Sequence, residues 1–435
     1  MSKQVLIITY FFPPHPEVGG IRLRGLAKYL PEFGWEPIIL TSPLPEKPDP
    51  QFKVVQTDDL GDIITYLKQK FGLNENRLIE DQVGTLSRYY DKKINLFPKI
   101  IKLLKRLVKE IIAYPDEYKQ WRSIALAKTH ELLRNEKFDA LISSSYPFTC
   151  HLIAKGIKVR YSIPWIADLR DLWTRNHYYP YSPIRKLFER GLELKTLSFA
   201  DALVTVSDPL AQKLRTLHKG KPVYVITNGF DPDEVKEKPL TKEFTITYTG
   251  YLYKGKRNPG SLFKAIAELI NERMIERQKI KIRFYGISGD HWLENEIQKY
   301  HLEDVVSMNP KIQRDIALDK QRESQILLLL NYDHPEEAGV YTGKLFEYLA
   351  AKRPILAIGG PRGVVTELLE ETRAGVHPLN YEELKKVLLE FYNEYKTCGY
   401  VPYKGNEEKI SKYSHREMAK RFAELLEIIT KMGNS

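Results

Sequence analysis

Positions 339–357 read GVYTGKLFEYLAAKRPILA. A glycine-containing loop opens into an apolar-periodic stretch at 344–351, and Lys352-Arg353-Pro354 then turns the chain into an apolar run at 354–358. A helix that returns at once to a buried strand is the repeating half of a βαβ unit. The same grammar continues in both directions. Upstream it predicts strands at 245–249, 281–285, 305–309 and 326–330, separated by helices at 259–273, 291–300 and 312–323. Downstream it predicts helices at 363–372, 381–395 and 416–431. The first half alternates likewise, with strands expected at 4–9, 36–41, 140–143, 165–167, 202–206 and 223–227 and helices at 21–33, 121–135 and 185–198.

The turn-forming cluster Asn228-Gly229-Phe230-Asp231-Pro232 and the polar stretch 233–243 interrupt this alternation, and the domain boundary is placed there. The expected fold class is α/β, with two Rossmann-like, doubly wound domains at 1–230 and 231–415. A terminal helix, 416–435, can pack back on the first domain. Sheets of this kind bind ligands beyond the carboxyl ends of their strands, so two facing sheets are expected to form an interdomain cleft. No internal repeat is detectable.

Composition narrows the function classes. Of 435 residues, 43% are hydrophobic and 28% charged, which excludes wholesale disorder. Basic residues number 67 against 56 acidic ones, and the net charge of +11 favours anionic partners. Two cysteines, Cys150 and Cys398, exclude a disulfide framework and a cysteine-based zinc site, and suit a reducing cytoplasm. The apolar start at 5–12 runs into Pro13-Pro14 without a small-residue cleavage site and reads as a strand. No segment approaches the roughly 18 consecutive apolar residues that cross a bilayer. The expected location is cytoplasmic, with room for peripheral attachment to the inner face of the plasma membrane. Nucleic acid is not an expected partner, because Lys and Arg are dispersed and no aromatic-basic motif appears.

Three stretches can carry chemistry. Gly19-Gly20 stands between the first strand and the first helix, where a backbone can approach a ligand and helix amides can meet an anion; a plain turn is the alternative. Arg22 and Arg24 follow on what reads as a solvated face. The second domain opens with Tyr248-Thr249-Gly250-Tyr251 and a basic loop holding Lys254, Lys256 and Arg257, suited to a diphosphate through charge-assisted hydrogen bonds. In the 339–357 stretch, the helix start and Lys344 can hold phosphate oxygens while Glu347 accepts bonds from a ribose diol. A capped helix with an acid near its positive end remains the alternative there.

The chain resembles the retaining, nucleotide-sugar-dependent glycosyltransferases of the GT-B fold, specifically their fourth family, rich in bacterial polysaccharide and cell-envelope enzymes. The resemblance rests on the order and spacing of ITYFFPPHPEVGGIRLRGLAKYLPEFGWEPIILTS, PWIADLRDLW, ADALVTVSDPL, VITNGFDPD, ITYTGYLYKGKRNP and TGKLFEYLAAKRPILAIGG. It implies that Gly19 and Gly20 approach the donor diphosphate and that Lys256 contacts the phosphates after Gly250. It also implies that Tyr341, Thr342, Gly343 and Lys344 bring amides to the diphosphate, and that Glu347 serves the nucleotide ribose. The implied partners are a nucleotide-sugar donor and a glycan or lipid-linked acceptor. The nucleotide sugar is a substrate; no cofactor and no metal are expected, and His15, His151 and His177 have no ligand spacing.

Three departures stand out. Tyr251 replaces the family's arginine after the loop glycine. The first glutamate of its paired motif falls near Gly339, with Glu336 and Glu337 only nearby. The histidine beside the reacting sugar has no counterpart in 166–173. There Asp168 or Asp171 can orient the acceptor hydroxyl or take its proton, and Arg170 can balance phosphate charge; an internal Arg-carboxylate pair is the structural alternative.

Residues 92–114 (KKINLFPKIIKLLKRLVKEIIAY) read as a basic amphipathic helix. At 100° per residue, apolar residues from Phe97 to Ile112 fill one side, while Lys99, Lys102, Lys105, Arg106 and Lys109 line the other. An anionic membrane surface or the chain's own first domain can receive it. The leading expectation is transfer of a hexose-type sugar to an acceptor hydroxyl with retention. The alternatives are a nucleotide-sugar epimerase or hydrolase on the same fold, and a non-catalytic basic membrane-binding protein.

Overall fold

The computed structural model describes residues 2–17, 19–59, 61, 110–253 and 255–432. Lys99, Lys102, Lys105, Arg106, Lys109 and Lys254 lie outside the described residues. The chain divides into two compact units: 1–206 with 210–226 and 419–435, and 207–209 with 227–418.

In the first unit, strands β1 (Lys3–Ile8), β2 (Trp35–Thr41), β3 (Lys53–Gln56), β4 (Ala140–Ser144), β5 (Trp165–Asp168), β6 (Ala202–Thr205) and β7 (Val223–Val225) form one sheet in the order 3-2-1-4-5-6-7. All its pairings are parallel. Helices α1 (Gly19–Tyr29), α2 (Trp121–Asn135), α3 (Thr149–Tyr161), α4 (Pro183–Leu197) and α5 (Asp208–Leu217) make the crossovers. Strands covered on both faces must be apolar throughout; Val5 to Ile8 are fully buried. Pro37 lies inside β2, yet pairing with β3 begins only at Ile38, so the missing N–H falls where that side is unpaired.

The second unit repeats the plan. Strands β8 (Phe244–Thr249), β9 (Ile280–Tyr285), β10 (Val306–Asn309), β11 (Ile326–Leu330), β12 (Ile355–Ile358) and β13 (Gly375–Val376) run parallel in the order 10-9-8-11-12-13. Its helices are α6 (Gly260–Asn271), α7 (His291–Lys299), α8 (Arg314–Arg322), α9 (Gly343–Ala351), α10 (Val364–Thr372), α11 (Tyr381–Cys398), α12 (Glu407–Ser411) and the start of α13 (His415–Met432). From Ala419 onward α13 belongs to the first unit, where Lys3 Nζ meets Glu427 Oε2 at 2.6 Å and Phe422 lies 5.3 Å beneath the Arg22 guanidinium.

Each strand order reverses once, between β1 and β4 in one unit and between β8 and β11 in the other. The divergent loops at such a reversal open a crevice beyond the carboxyl ends of the strands. Sequence reading missed β3 and β13, both short edge strands, and α3, α5 and α12. The helix expected at 21–33 is α1 followed by a 3-10 turn, Leu30–Phe33. Pro31 lacks the N–H that would continue the α-helical ladder, and Gly34 at φ 81° ends the turn. Among the described residues no helix is long and apolar enough to cross a membrane.

Candidate functional site

In the second unit the residues singled out by sequence converge on the β8/β11 reversal. β8 is followed directly by Gly250, whose φ of +114° suits glycine. A Cβ there would lie 2.6 Å from Lys344 Cε and Nζ, so the lysine crosses directly over bare backbone. Lys344 Nζ donates to the Tyr248 hydroxyl at 2.7 Å, and that hydroxyl donates to the Tyr251 carbonyl at 2.7 Å. Burial, and after it the charge of Arg257, holds the Lys344 amine well below the ordinary lysine range, against the opposite pull of Glu347. Burial pushes the Tyr248 phenol up to about 12. A desolvated amine with a second cation beside it is a site that gains when an anion arrives.

Lys344 is the second residue of α9. Thr342, at the cap position, makes no side-chain cap hydrogen bond, so the first amides of the helix are left to an outside acceptor. Its Oγ1 is buried without a hydrogen-bond partner among the described residues. Glu347 stands one turn further on, with 27% of its side chain exposed. Its carboxylate faces Arg314 Nε at 3.6 Å and Gln321 Nε2 at 3.4 Å, contacts long enough to leave acceptor capacity. Burial raises its pKa, opposed chiefly by Arg314 and Gln321. Gln321 also donates to Thr249 Oγ1 at 3.0 Å, while its own Oε1 is buried with no partner among the described residues. Orphaned polar atoms at the start of α9 and on the glutamine beside the carboxylate fit a polyhydroxylated ligand.

Lys256 is exposed, its Nζ 5.2 Å from the Tyr332 ring just beyond β11, so it borders the same reversal. Tyr341 packs edge-on to Phe346, centroids 5.6 Å apart, at the loop leading to Gly343. A Cβ on Gly339 would lie 2.8 Å from Pro209 Cβ, so no glutamate fits where the paired motif would put one. Glu337 instead lines a small pocket with Asn331, Gly360 and Gly363 beyond the ends of β11 and β12.

The first unit holds a second constellation. A Cβ on Gly19 would lie 2.1 Å from Arg170 Nη2; the guanidinium rests on the first residue of α1, two positive ends together. Gly20 is pressed against Pro13 and the Phe11 carbonyl. Arg170 Nη1 meets the exposed Asp171 at 3.6 Å. Asp168 requires a correction. Its fully buried carboxylate takes a bidentate pair from Arg22, with Nε at 3.1 Å and Nη2 at 3.0 Å, and a further bond from Ser144 Oγ at 2.8 Å. Arg22, only 4% exposed, also donates to the Ile226 carbonyl at 2.9 Å. This pair ties α1 to β5 and to the end of β7. Asp168 is thereby occupied as a strut rather than placed to take a proton, and Arg22 is not on a solvated face.

The model of glycosyltransferase family 4 matches residues 19–234, from Gly19 through the Arg170 loop to the start of the second unit. That stretch carries a glycosyltransferase family 4 domain, and the chain is a glycosyltransferase. Solved structures agree in fold. Sucrose-phosphate synthase from Thermosynechococcus elongatus is similar at TM-score 0.64 and 12% identity, over 99% of this chain and 100% of that one. Anabaena HepE in complex with UDP and glucose is similar at TM-score 0.60 and 13% identity, over 98% and 100%. An E. coli trehalose-6-phosphate protein bound with UDP-2-fluoro glucose is similar at TM-score 0.59 and 14% identity, over 98% and 99%. A search of the curated proteins finds no match. At these identities the likeness concerns the GT-B fold.

For this glycosyltransferase, sequence reasoning named Arg257 only as one of three cations in the basic loop, and passed over Arg314 and Gln321. Arg257 was visible in the basic loop, but Lys256 stood at the expected spacing; Arg314 and Gln321 sit on α8, where charged residues look solvated.

The Arg22–Asp168 pair generates a prediction. Asp168→Ala leaves a buried guanidinium uncompensated and should cost the first unit about 3–5 kcal/mol, measured by urea denaturation. Asp171→Asn, at an exposed carboxylate, should leave the midpoint unchanged. Equal stability of the two variants would refute the strut assignment.

Proposed function

We propose that the protein transfers a hexose-type sugar from a nucleoside diphosphate sugar to an acceptor hydroxyl, with retention at the anomeric carbon. The proposed setting is bacterial polysaccharide, glycolipid or cell-envelope glycan synthesis, with a glycan or lipid-linked acceptor. The observation that carries this reading is Lys344 lying across Gly250 at the β8/β11 reversal, with Glu347 one turn along the same helix. The UDP and UDP-sugar ligands of structurally similar proteins favour a uridine donor.

In such a transfer the diphosphate departs carrying negative charge. Lys344, Arg257 and the first amides of α9 are fixed before reaction, so they stabilise the developing charge more than the bound ground state. Lys256, exposed at the rim, adds a more solvent-screened cation. Glu347 accepts the ribose hydroxyls and sets the register of the nucleotide, while Glu337 is the acid available to the sugar in place of one at Gly339. In the first unit, Arg170 on the α1 terminus and exposed Asp171 are the groups for the acceptor end.

Mutant kinetics test these roles against a panel of nucleoside diphosphate sugars. Lys344→Ala should lower kcat by about 10²–10³-fold. Glu347→Ala should raise the donor KM by about 10–100-fold with a smaller effect on kcat, as expected for lost charged hydrogen bonds. Lys256→Ala should act in the same direction as Lys344→Ala but more weakly. Unchanged rates in Lys344→Ala and Glu347→Ala would remove the assignment.

A pH dependence follows from the depressed lysine. A bound diphosphate favours the charged amine, so the Lys344 pKa is higher in the complex than in the free protein. Affinity is then full below the free value and declines as pH rises through it. Calorimetric titration with UDP in buffers of different ionisation enthalpy should show net proton uptake at a pH between the two values. Lys344→Arg, whose guanidinium stays charged, should abolish that uptake. Equal proton uptake by both proteins would sink the explanation.

A further inference from the structure

Helix α4 is folded inside out. Its inward face carries Arg185, Glu189, Glu193 and Thr196, all buried. Arg185 Nε pairs with Glu189 Oε1 at 2.5 Å, and Glu189 also accepts from Trp173 Nε1 at 3.1 Å. Glu193 accepts from the Thr174 amide at 3.1 Å and meets His218 Nε2 at 3.2 Å. Its outward face carries Ile184, Leu187 and Phe188, exposed by 70, 69 and 67%, with Gly191 and Leu194 continuing the stripe at helical spacing. Lys186, Arg190 and Lys195 are exposed on the same helix. Both glutamates within 183–199 are buried, so the outer surface of this segment is apolar and cationic with no acid in it.

Neighbouring elements extend the surface. Arg185 donates to the carbonyls of Glu110 and Ala113 at 2.7 Å each, and the Tyr114 hydroxyl donates to the Phe188 carbonyl at 3.4 Å. These bonds hold exposed Ile111 beside the stripe. At the other end Lys155 lies 5.0 Å over the ring of exposed Phe199.

We propose that the outer face of α4, with Ile111, is a docking surface for an anionic phospholipid bilayer. Apolar side chains rimmed by Lys and Arg enter the acyl boundary while the cations meet headgroups, a combination that water or a neutral surface does not reward. A second copy of the chain is a poorer fit, because an isologous contact would set Lys186, Arg190 and Lys195 against themselves. The surface also faces the right way for a lipid-borne acceptor. α4 links the parallel neighbours β5 and β6, so it runs antiparallel to them, and its first turns lie at the carboxyl edge that carries Arg170 and Asp171. The proposal stands on α4 and not on residues 92–109, nor on the donor reading above.

Sedimentation of the full-length protein with phosphatidylglycerol/phosphatidylcholine vesicles, and with phosphatidylcholine alone, tests it. Binding is expected only to the anionic vesicles and should weaken as salt rises. The double variant Leu187→Glu/Phe188→Glu should lose at least about thirtyfold in vesicle affinity, and Lys186→Glu/Arg190→Glu should lose affinity as well. Both pairs are exposed, so thermal melting should match the parent. No binding by the parent overturns the proposal. Binding that both double variants retain also overturns it, and places attachment elsewhere. Sedimentation velocity showing a parent dimer that Leu187→Glu/Phe188→Glu converts to monomer, without vesicle binding, assigns the face to a second copy instead.

Discussion

A single desolvated amine organises the second unit. Lys344 reaches from the start of α9 across Gly250 to the Tyr248 hydroxyl, and that reach requires several features at once. β8 must be followed by a residue without a side chain, α9 must begin where its second residue overlooks that end, and β11 must lie beside β8 rather than at the sheet margin. The strand order 10-9-8-11-12-13 supplies the last condition. Gly286, at φ +91°, supports the first from the neighbouring strand: a Cβ on it would lie 3.5 Å from the Gly250 Cα. The floor of the crevice is therefore backbone, and the charge lies above it in the position an anion would approach.

The first unit spends its charges differently. One of its buried pairs, Arg22 with Asp168, is saturated: both carboxylate oxygens and two of the guanidinium nitrogens are engaged, and Phe422 packs against the arginine. Breaking one partner of such a pair is costly even where the intact pair contributes little net stability. The neighbouring Arg170 is the opposite case. It is partly exposed, set against the positive end of α1, and among the described residues it pairs with a carboxylate 3.6 Å away. Two arginines in reach of one loop thus divide the work, one bracing the scaffold and one keeping its charge at the surface.

That division explains what could be read from the sequence. The alternation of apolar runs with helical periods was legible because burial on both faces keeps β11 and the centre of β1 wholly apolar and leaves only small hydroxyl residues among the apolar ones of β4 and β8. Lys344 and Glu347 were legible because helical spacing fixes them relative to each other, and Gly250 because it closes the apolar run of β8; the approach of Lys344 to Gly250 is a tertiary contact that spacing does not give. Asp168 was misplaced because its partner is 146 positions away, and sequence offered Arg170, two residues on, as the obvious pair. Arg314 and Gln321 were invisible for a related reason. α8 is polar almost throughout, and tertiary contacts, with Glu347 for both and with Thr249 for Gln321, mark these two as site residues. β13 was missed because two residues carry no period.

Helix α4 shows how far periodicity alone can mislead. Its spacing of Ile184, Leu187, Phe188 and Leu194 is that of a core-facing stripe, and a helix of this composition would ordinarily turn it inward. Here the stripe faces outward. Leaving each large side chain in water forgoes about 1.5–3 kcal/mol of transfer free energy, and burying Arg185, Glu189 and Glu193 adds desolvation that only a complete network offsets. Folding alone has no use for that exchange. It becomes intelligible when the chain's environment includes a second apolar phase, because the side chains withheld from the protein interior are then available to it. The buried ion pairs fix which face of the helix points out; under the proposed bilayer docking, the same residues that look like waste in an isolated domain would set its orientation on the surface.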